Sequence, residues 1–324
     1  MASVWYGRSV TGRQYSRRVN VAAIDIGTNS VRLLIADETG RELERPMRMT
    51  RLGQGVDVTG VLADDAMQRT TNVLREYRTL MQRHGVERAR ATATSAARDA
   101  QNSQQFFDAV ERALGVRPEL LSGEEEARLS FQGATRGLQP ADAPFLIIDL
   151  GGGSTEFALG SGEPDSREPL ALVSTQMGCV RMTERHLKAD PPSAEQLAAV
   201  AADVRQQLER VRAVMDVGRA RTVIGLAGTV TALSAMQLGL TKYDSTQTHH
   251  SRLSRPQVEA QFARLCAATL TKRRTLLAEP ARAEVIVGGA AVLSTIMKEF
   301  DIDQLLVSEH DILDGLAASL VPPA

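Results

Sequence analysis

The stretch FLIIDLGGGSTEFALG, residues 145–160, decides the fold of this chain. Apolar residues lead into Asp149, three glycines follow, and Ser154, Thr155 and Glu156 open a second apolar run. Each apolar run has the length and composition of a buried strand, so the glycines are predicted to form the turn of a hairpin. Three glycines in a turn indicate that some group approaches the backbone there, in space that a side chain would block.

The same pattern occurs once before, in AAIDIGTNSVRLLIAD at residues 22–37. Both copies place a strand, an aspartate, an apolar residue, a glycine, a small polar turn and a serine in that order. The repeat predicts a duplicated two-domain α/β fold in which the two turns face each other across a cleft. Each turn would present several backbone N–H groups at one concavity. Such an arrangement binds anions, and phosphate is the expected one.

Length and composition fit a protein of two domains. The chain has 324 residues, of which 43% are hydrophobic and 24% charged, with a formal net charge of −1. This charge excludes a globally basic nucleic-acid binder. The two cysteines form no disulfide framework, which suggests a reducing compartment, and no apolar run is long enough to span a membrane. We therefore expect a cytoplasmic protein that binds neither nucleic acid nor membrane.

The domain boundaries are predicted from the repeat. Residues 1–19 contain four arginines and no acid, lack the apolar segment of a secretory signal, and are expected to be a disordered basic extension. We assign residues 20–137 to a first domain and residues 138–324 to a second, joined by the connection GLQPADAP at 137–144. The last predicted helix, DILDGLAASL at 311–320, is expected to pack back against the first domain.

Two further segments carry predictions of secondary structure. ERPMRMTRLG at 44–53 is predicted to contain a third strand of the first domain. AEVIVGGAAVLSTIMKEF at 283–300 is predicted to be a strand that breaks at its two glycines into a helix.

Six motifs, in this order, resemble those of the exopolyphosphatase / guanosine pentaphosphate phosphatase (Ppx/GppA) family, which lies within the actin-like superfamily. They are DIGTNSVRLLIAD, ATSAARDA, SGEEEARLSFQGA, DLGGGSTEF, MGCVRMTE and GLAGTVTAL. The resemblance runs from residue 21 to the C-terminus. It implies a duplicated actin-like (ribonuclease H-like) fold with an interdomain cleft. Longer members of the family carry an additional C-terminal helical domain, so we expect the short, two-domain form.

The two turns are the predicted phosphate site. An arginine grips two phosphate oxygens at once, and Arg98, which follows TSA at a predicted helix start, is the first candidate for this role. Arg181 is the second, with a surface ion pair as the equal alternative. The predicted substrate-binding residues are Thr28, Asn29, Ser30, Gly151, Gly152, Gly153, Ser154 and Arg181.

The acids near the turns suggest a metal ion and a general base. Asp149 and Glu156 flank the glycines, and carboxylates beside a phosphate site require a cation between them. Hard oxygen ligands with room for water suit Mg²⁺, the expected cofactor, although Asp149 has the alternative role of holding the turn. The three acids at 124–126 have a sufficient explanation in the helix dipole. The resemblance selects Glu126 as the base that activates water, with Glu156 and Arg98 also catalytic.

The resemblance implies hydrolysis of a terminal phosphoanhydride. Inorganic polyphosphate, cleaved one orthophosphate at a time and in short chains, is the favoured substrate, because aromatic residues make up only 4% of the chain and a guanine base needs an apolar platform. The first alternative is guanosine pentaphosphate (pppGpp), which would connect the protein with the stringent response. A small-molecule kinase and a non-catalytic polyphosphate or nucleotide sensor are the alternatives of other classes. The oligomeric state is left open, with a homodimer as one option.

Overall fold

The computed structural model describes residues 19–161 and 168–321. The predicted disordered extension lies outside these residues except for its last position, so it stays a prediction. The strands in chain order are β1 (Asn20–Ile26), β2 (Ser30–Asp37), β3 (Glu42–Glu44), β4 (Met47–Met49), β5 (Val86–Ala93), β6 (Glu119–Leu120), β7 (Phe145–Leu150), β8 (Thr155–Gly160), β9 (Ala171–Thr175), β10 (Thr222–Leu226), β11 (Arg252–Ser254) and β12 (Gln304–Val307).

Groups of helices are interspersed with the strands along the chain. They are α1 (Val56–Thr59), α2 (Asp64–Arg83), α3 (Ser95–Asp99), α4 (Ser103–Leu114), α5 (Gly123–Ala134), α6 (Cys179–His186), α7 (Ala194–Val214), α8 (Ala227–Gln237), α9 (Ser245–Thr248), α10 (Arg255–Cys266), α11 (Leu270–Leu276), α12 (Ile286–Glu299) and α13 (Ile312–Leu320). Short 3₁₀ helices cover Pro140–Asp142, Val217–Arg219 and Pro280–Glu284. None of the described helices is long and apolar enough to cross a membrane.

Two sheets organise the molecule, and each contains one of the repeated hairpins. In the first sheet the order is β3-β2-β1-β5-β6, with β4 also paired to β2. In the second the order is β11-β12-β10-β7-β8-β9. Strand β1 pairs antiparallel with β2 and parallel with β5, just as β7 pairs antiparallel with β8 and parallel with β10. The predicted duplicated, actin-like α/β fold is therefore confirmed.

Each sheet is covered by helices that bury an apolar face against it. In the first half, α2 and α4 enclose a core whose largest side chains include Tyr77, Phe106 and Leu74. In the second half, α6, α7, α8, α10 and α12 surround a larger core built around β7, β8 and β12. The strands β1 and β7 read as nearly unbroken apolar runs because each is buried on both faces.

Helices α5 and α13 pack against each other and join the two halves. One side of α5 contacts the second sheet through Phe131, while Leu129 meets α13 and the residue Leu34 of the first sheet. Glycine permits the close approach of the two helices. A Cβ on Gly315 would lie 2.9 Å from the carbonyl carbon of Leu129, and one on Gly133 would overlap the backbone of Asp311. The C-terminal helix thus packs on β1 and β2, in the part of the chain predicted as the first domain.

The predicted break of residues 283–300 into a strand and a helix is wrong. Residues 286–299 form the single helix α12, with both glycines inside it. These glycines permit close packing on α6, since a Cβ on Gly288 would lie 2.8 Å from the carbonyl oxygen of Cys179. The strand predicted within residues 44–53 is present as β4, Met47–Met49, and β3 lies just before it at Glu42–Glu44. Pro46, which has no N–H to donate, lies between the two strands. Strand β9 was not predicted at all.

Candidate active site

A cleft of about 480 Å³ lies between the two halves, where both hairpin turns meet. Its walls also include the N-terminal end of α8 and the segment that precedes α13. Nine of the predicted site residues line it: Thr28, Asn29, Ser30, Glu126, Asp149, Gly151, Gly152, Gly153 and Ser154. Arg98, Glu156 and Arg181 are not among the lining residues in the part of the chain that the structure describes.

The two turns touch each other, which explains the glycines. A Cβ on Gly152 would lie 2.8 Å from the Cβ of Thr28, closer than real side chains approach. A Cβ on Gly153 would lie 3.1 Å from the Cβ of Ser95 and 3.1 Å from the hydroxyl oxygen of Thr28. The group that approaches the triple-glycine turn is therefore the first half of the protein itself. The expectation that a ligand fills this space is corrected at these two positions.

The carbonyl oxygens and the N–H groups of the glycine turn have different surroundings. Its carbonyl oxygens face α6: those of Gly151 and Gly152 accept from the N–H groups of Cys179 at 3.0 Å and Val180 at 2.8 Å. The N–H groups of Gly152 and Gly153 find no acceptor among residues 19–161 and 168–321, and those of Thr28 and Asn29 find none either. Unpaired donors on two facing turns form a site that an anion satisfies.

Glu126 is placed at this site by the first turn of α5. Ser122 caps the helix by accepting from the N–H of Glu125 at 3.1 Å, so the acids occupy the N-terminal turn, where the helix dipole favours them. Arg98 donates to Glu126 at 2.7 Å and lies 3.4 Å from the hydroxyl of Ser154. Burial raises the pKa of Glu126 to about 7, although the Arg98 guanidinium acts to lower it.

Asp149 and Glu156 lie directly opposite each other on β7 and β8. Each carboxylate accepts a hydrogen bond from a serine hydroxyl. Ser130 donates to Asp149 at 2.6 Å, and Ser174 donates to Glu156 at 2.7 Å. Burial raises the pKa of Asp149 to about 6. Burial and then the charges of Glu126 and Asp149 raise the pKa of Glu156 well above its ordinary value. The site thus concentrates buried carboxylates with too little positive charge to balance them.

These carboxylates fit a cation that is shared with the substrate. The second oxygen of Glu156, Oε2, is buried and has no hydrogen-bond partner among the described residues. Within the same residues, no three His, Cys, Asp or Glu side chains are grouped closely enough to hold a metal ion by themselves. A hard divalent cation can be bound by one or two carboxylates together with water and substrate phosphates, so the arrangement fits an open cation site rather than a closed protein cage.

Among the charged cleft residues that the sequence analysis missed, three form one ion-pair network: Asp25, Arg32 and Asp311. Asp25 and Arg32 are paired in register on β1 and β2, at the positions that Asp149 and Glu156 occupy on β7 and β8. The repeat could therefore have found both. Asp311, at the N-cap of α13, binds Arg32 from the far end of the chain. No local pattern signals this contact.

Arg181 has a different place from the one predicted. Arg181 is only 9% exposed, and its guanidinium donates a hydrogen bond to the carbonyl oxygen of Gly153 at 2.7 Å. It also pairs with Asp57 and Asp99 from the first half. Because these partners occupy it beneath the glycine turn, Arg181 ties the two halves together instead of facing the cleft. The sequence-based alternative of a surface ion pair is not observed either, since the pair is buried.

The fold and the site define a class of protein: an actin-like α/β protein whose cleft joins open backbone donors with buried carboxylates, as phosphate chemistry requires. The chain belongs to the Ppx/GppA phosphatase family, which it matches over residues 18–323. It is 45% identical to exopolyphosphatase 2 of Mycobacterium tuberculosis over 317 residues, with 93% of this chain and 98% of that protein covered.

Two further relatives bear on the comparison. The crystal structure of an exopolyphosphatase-like protein superposes with a TM-score of 0.88 at 40% identity and covers 93% of this chain and 98% of that one. The guanosine-5′-triphosphate,3′-diphosphate pyrophosphatase of Aeromonas salmonicida is 29% identical over 304 residues. The match covers 93% of this chain but only 59% of the Aeromonas protein.

Proposed function

We propose that this protein is an exopolyphosphatase, a phosphoanhydride hydrolase that releases terminal orthophosphate from inorganic polyphosphate. The observation that carries the proposal is the position of Glu126. Its carboxylate, with a pKa of about 7, lies at the cleft wall beside two facing turns whose N–H groups are free to bind phosphate oxygens. A base whose pKa is close to the working pH is the most effective one for moving a proton in a transition state.

The reaction follows from the placement of these groups. The terminal phosphate binds the N–H groups of the two turns, which stabilise negative charge without supplying a counter-charge. Glu126 takes a proton from a water molecule, and the water attacks the phosphorus in line with the bridging oxygen that leaves. Arg98 holds Glu126 in place and is near enough to Ser154 to reach a phosphate oxygen there.

Mg²⁺ is the proposed cofactor, with Asp149 and Glu156 as the residues that hold it. The ion, when bound, neutralises charge on the phosphate oxygens and on the leaving group. The support from the structure is the buried free oxygen of Glu156 and the mutual repulsion of the site carboxylates. Ser130 and Ser174 fix the orientation of these two carboxylates, a role that outer residues commonly have at metal sites.

Polyphosphate is the proposed substrate rather than pppGpp. Its repeating unit needs only amide donors, cations and guanidinium groups. The cleft lining supplies the amide donors of the two turns and the guanidinium groups of Arg32, Arg45 and Arg282. The relative named as an exopolyphosphatase is similar along its whole length, whereas the pyrophosphatase relative is similar over 59% of its length. A cleft of about 480 Å³ holds a short segment, so we propose a preference for short chains.

The test is a measurement of orthophosphate release from short polyphosphate, long polyphosphate, pppGpp and ATP, each with Mg²⁺ and with a chelator. We expect the highest kcat/KM with short polyphosphate, and no turnover when the chelator is present. The proposal is wrong if pppGpp or ATP is hydrolysed with much higher kcat/KM than every length of polyphosphate.

A further inference from the structure

The guanidinium of Arg32 bridges the first hairpin and the C-terminal helix. On one side it donates twice to Asp25 Oδ2, at 3.1 Å from Nε and 2.8 Å from Nη2. On the other side its Nη1 donates to Asp311 Oδ2. The other oxygen of Asp311 accepts from the N–H of Leu313 at 3.0 Å and so caps α13. Asp311 therefore has two separate tasks, a charge for Arg32 and a cap for the helix.

Arg32 has a third acid within electrostatic reach. The negative charge of Asp149 interacts with the Arg32 guanidinium, as do the charges of Asp311 and Asp25. The side chains of Arg32 and of these three aspartates all line the cleft. Asp149 is one of the two residues proposed to hold the cation. A guanidinium that turned toward Asp149 would neutralise this carboxylate and occupy the place of the cation.

The packing of α13 sets where Asp311 lies. Gly133 of α5 lies against the backbone of Asp311, and Gly315 lies against the backbone of Leu129, so a larger side chain at either glycine would push α13 away. The side chains Ile312 and Leu316 are buried against the first sheet and α5. Asp311 is itself 5% exposed, so its carboxylate is held rigidly beside Arg32.

We propose that Asp311 is a positioning residue for the cation site: by holding Arg32 against Asp25, it keeps the guanidinium away from Asp149. The inference rests on the proposed function for its link to turnover. It assigns a task to the C-terminal helix, which carries none of the proposed catalytic or cation-holding groups. Removing the charge of Asp311 frees one side of Arg32, and Asp149 is the acid to which the guanidinium then turns.

The test uses substitutions that keep the cap and remove the charge. Asn and Ser both cap helices well, so Asp311→Asn and Asp311→Ser preserve α13. We expect the half-saturating Mg²⁺ concentration to rise about tenfold or more, the usual scale for losing an outer residue of a metal site, while the KM for polyphosphate changes little. Calorimetric titration of MgCl₂ into the protein in the presence of orthophosphate, where no turnover occurs, should show the same weakening of Mg²⁺ binding.

Two controls separate this role from a structural one. Asp314→Asn removes a charge from the same helical turn, but that charge pairs with Arg45 and not with Arg32. It should leave the Mg²⁺ dependence unchanged. In an Arg32→Met background, Asp311→Asn should add no further change, because the guanidinium that it releases is absent.

The possible outcomes are distinct. A wild-type Mg²⁺ dependence in both Asp311 variants overturns the inference, and so does a defect of equal size in the Arg32→Met background. Variants that melt many degrees below the wild type also overturn it, since Asp311 would then serve only to stabilise α13. If the wild-type protein does not hydrolyse polyphosphate, the proposed function fails, and the calorimetric comparison still decides the inference.

Discussion

At the scale of single residues, Glu126 combines burial with a positively charged neighbour. Burial by itself would hold the carboxyl in its neutral form, in which it cannot accept a proton from water. The Arg98 guanidinium at 2.7 Å opposes this effect, and the resulting pKa is about 7. The pair keeps a buried acid partly ionised at neutral pH.

The first prediction concerns Glu126 itself. Glu126→Gln keeps the shape of the side chain and removes the base, so turnover should fall by about two to four powers of ten. Binding of polyphosphate should persist, because the N–H groups of both turns are unchanged. Orthophosphate release and an equilibrium binding assay measure the two effects. Glu125→Gln is the matched control, since Glu125 is bonded to Arg128 outside the cleft; near-normal turnover in Glu126→Gln would remove it from the mechanism.

The second prediction concerns pH. The base must be ionised to act, so kcat/KM should rise with pH through the pKa of Glu126, about 7 in the free protein. Arg98 lowers that pKa, and Arg98→Gln should therefore move the midpoint of the profile to higher pH. The profile is obtained from initial rates at several pH values and a fixed ratio of Mg²⁺ to phosphate. If the midpoint does not shift in Arg98→Gln, the ionisation of a group other than Glu126 determines the fall of kcat/KM at low pH.

At the scale of secondary-structure elements, the two hairpins act as one unit. The β1–β2 turn and the β7–β8 turn are in van der Waals contact, and their backbone donors converge because no side chain separates them. The hairpins also differ in charge at one equivalent position. Arg32 on β2 balances Asp25, whereas Glu156 on β8 adds a second negative charge opposite Asp149. This difference explains why a cation is expected on the second hairpin.

The third prediction tests the contact between the turns. Gly152→Ala places a Cβ 2.8 Å from the Cβ of Thr28, so the turns must separate. Overpacking of this kind costs about 1–3 kcal/mol of stability, and the KM for polyphosphate should rise because the donors no longer converge. Thermal unfolding and steady-state kinetics measure the two effects. The double variant Gly152→Ala, Thr28→Gly should recover stability; if it does not, the strain lies elsewhere in the turn.

At the scale of the whole molecule, the buried acids of the cleft make the stability of the folded protein depend on pH. Asp149 and Glu126 are both buried, and burial raises the pKa values of these acids to about 6 and about 7. Groups of this kind bind more protons in the folded than in the unfolded protein. Their contribution to stability is therefore greatest at low pH and is lost as the pH rises through their folded values.

The fourth prediction follows from this sign. Between the ordinary aspartate pKa of 3.8 and the value of about 7 for Glu126, these acids should make the free protein progressively less stable as pH rises. Melting temperatures measured across this range, with the same ionic strength, test the trend. Glu156→Gln should make the decline shallower, because one buried charge can no longer form. A decline as steep as that of the wild type would show that the charge on Glu156 does not affect folding.

Much of the fold was predictable from residues 22–37 and 145–160. The repeated pattern of apolar run, aspartate, glycine and serine is a local property, because a buried strand and a tight turn each impose it on a few adjacent positions. The same pattern located the two turns of the cleft. The start of the helix at Gly123–Ala134 was indicated by the three acids at 124–126, which occupy its first turn. The duplicated fold and the two facing turns of the cleft were therefore predictable from the sequence.

The tertiary structure decided what depends on contacts between distant residues. Sequence could not show that Thr28 fills the space beside Gly152, that Arg181 is buried between the halves, or that Asp311 meets Arg32. Each of these contacts joins residues that are far apart in the sequence. The same amino-acid types also occur at solvent-exposed positions, so the residue type alone does not indicate the contact. The glycines of α12 were misread for the same reason, because the helix α6 that packs on them lies far away in sequence. Local patterns determine which elements form and where they turn, whereas burial and charge balance exist only after the elements have packed.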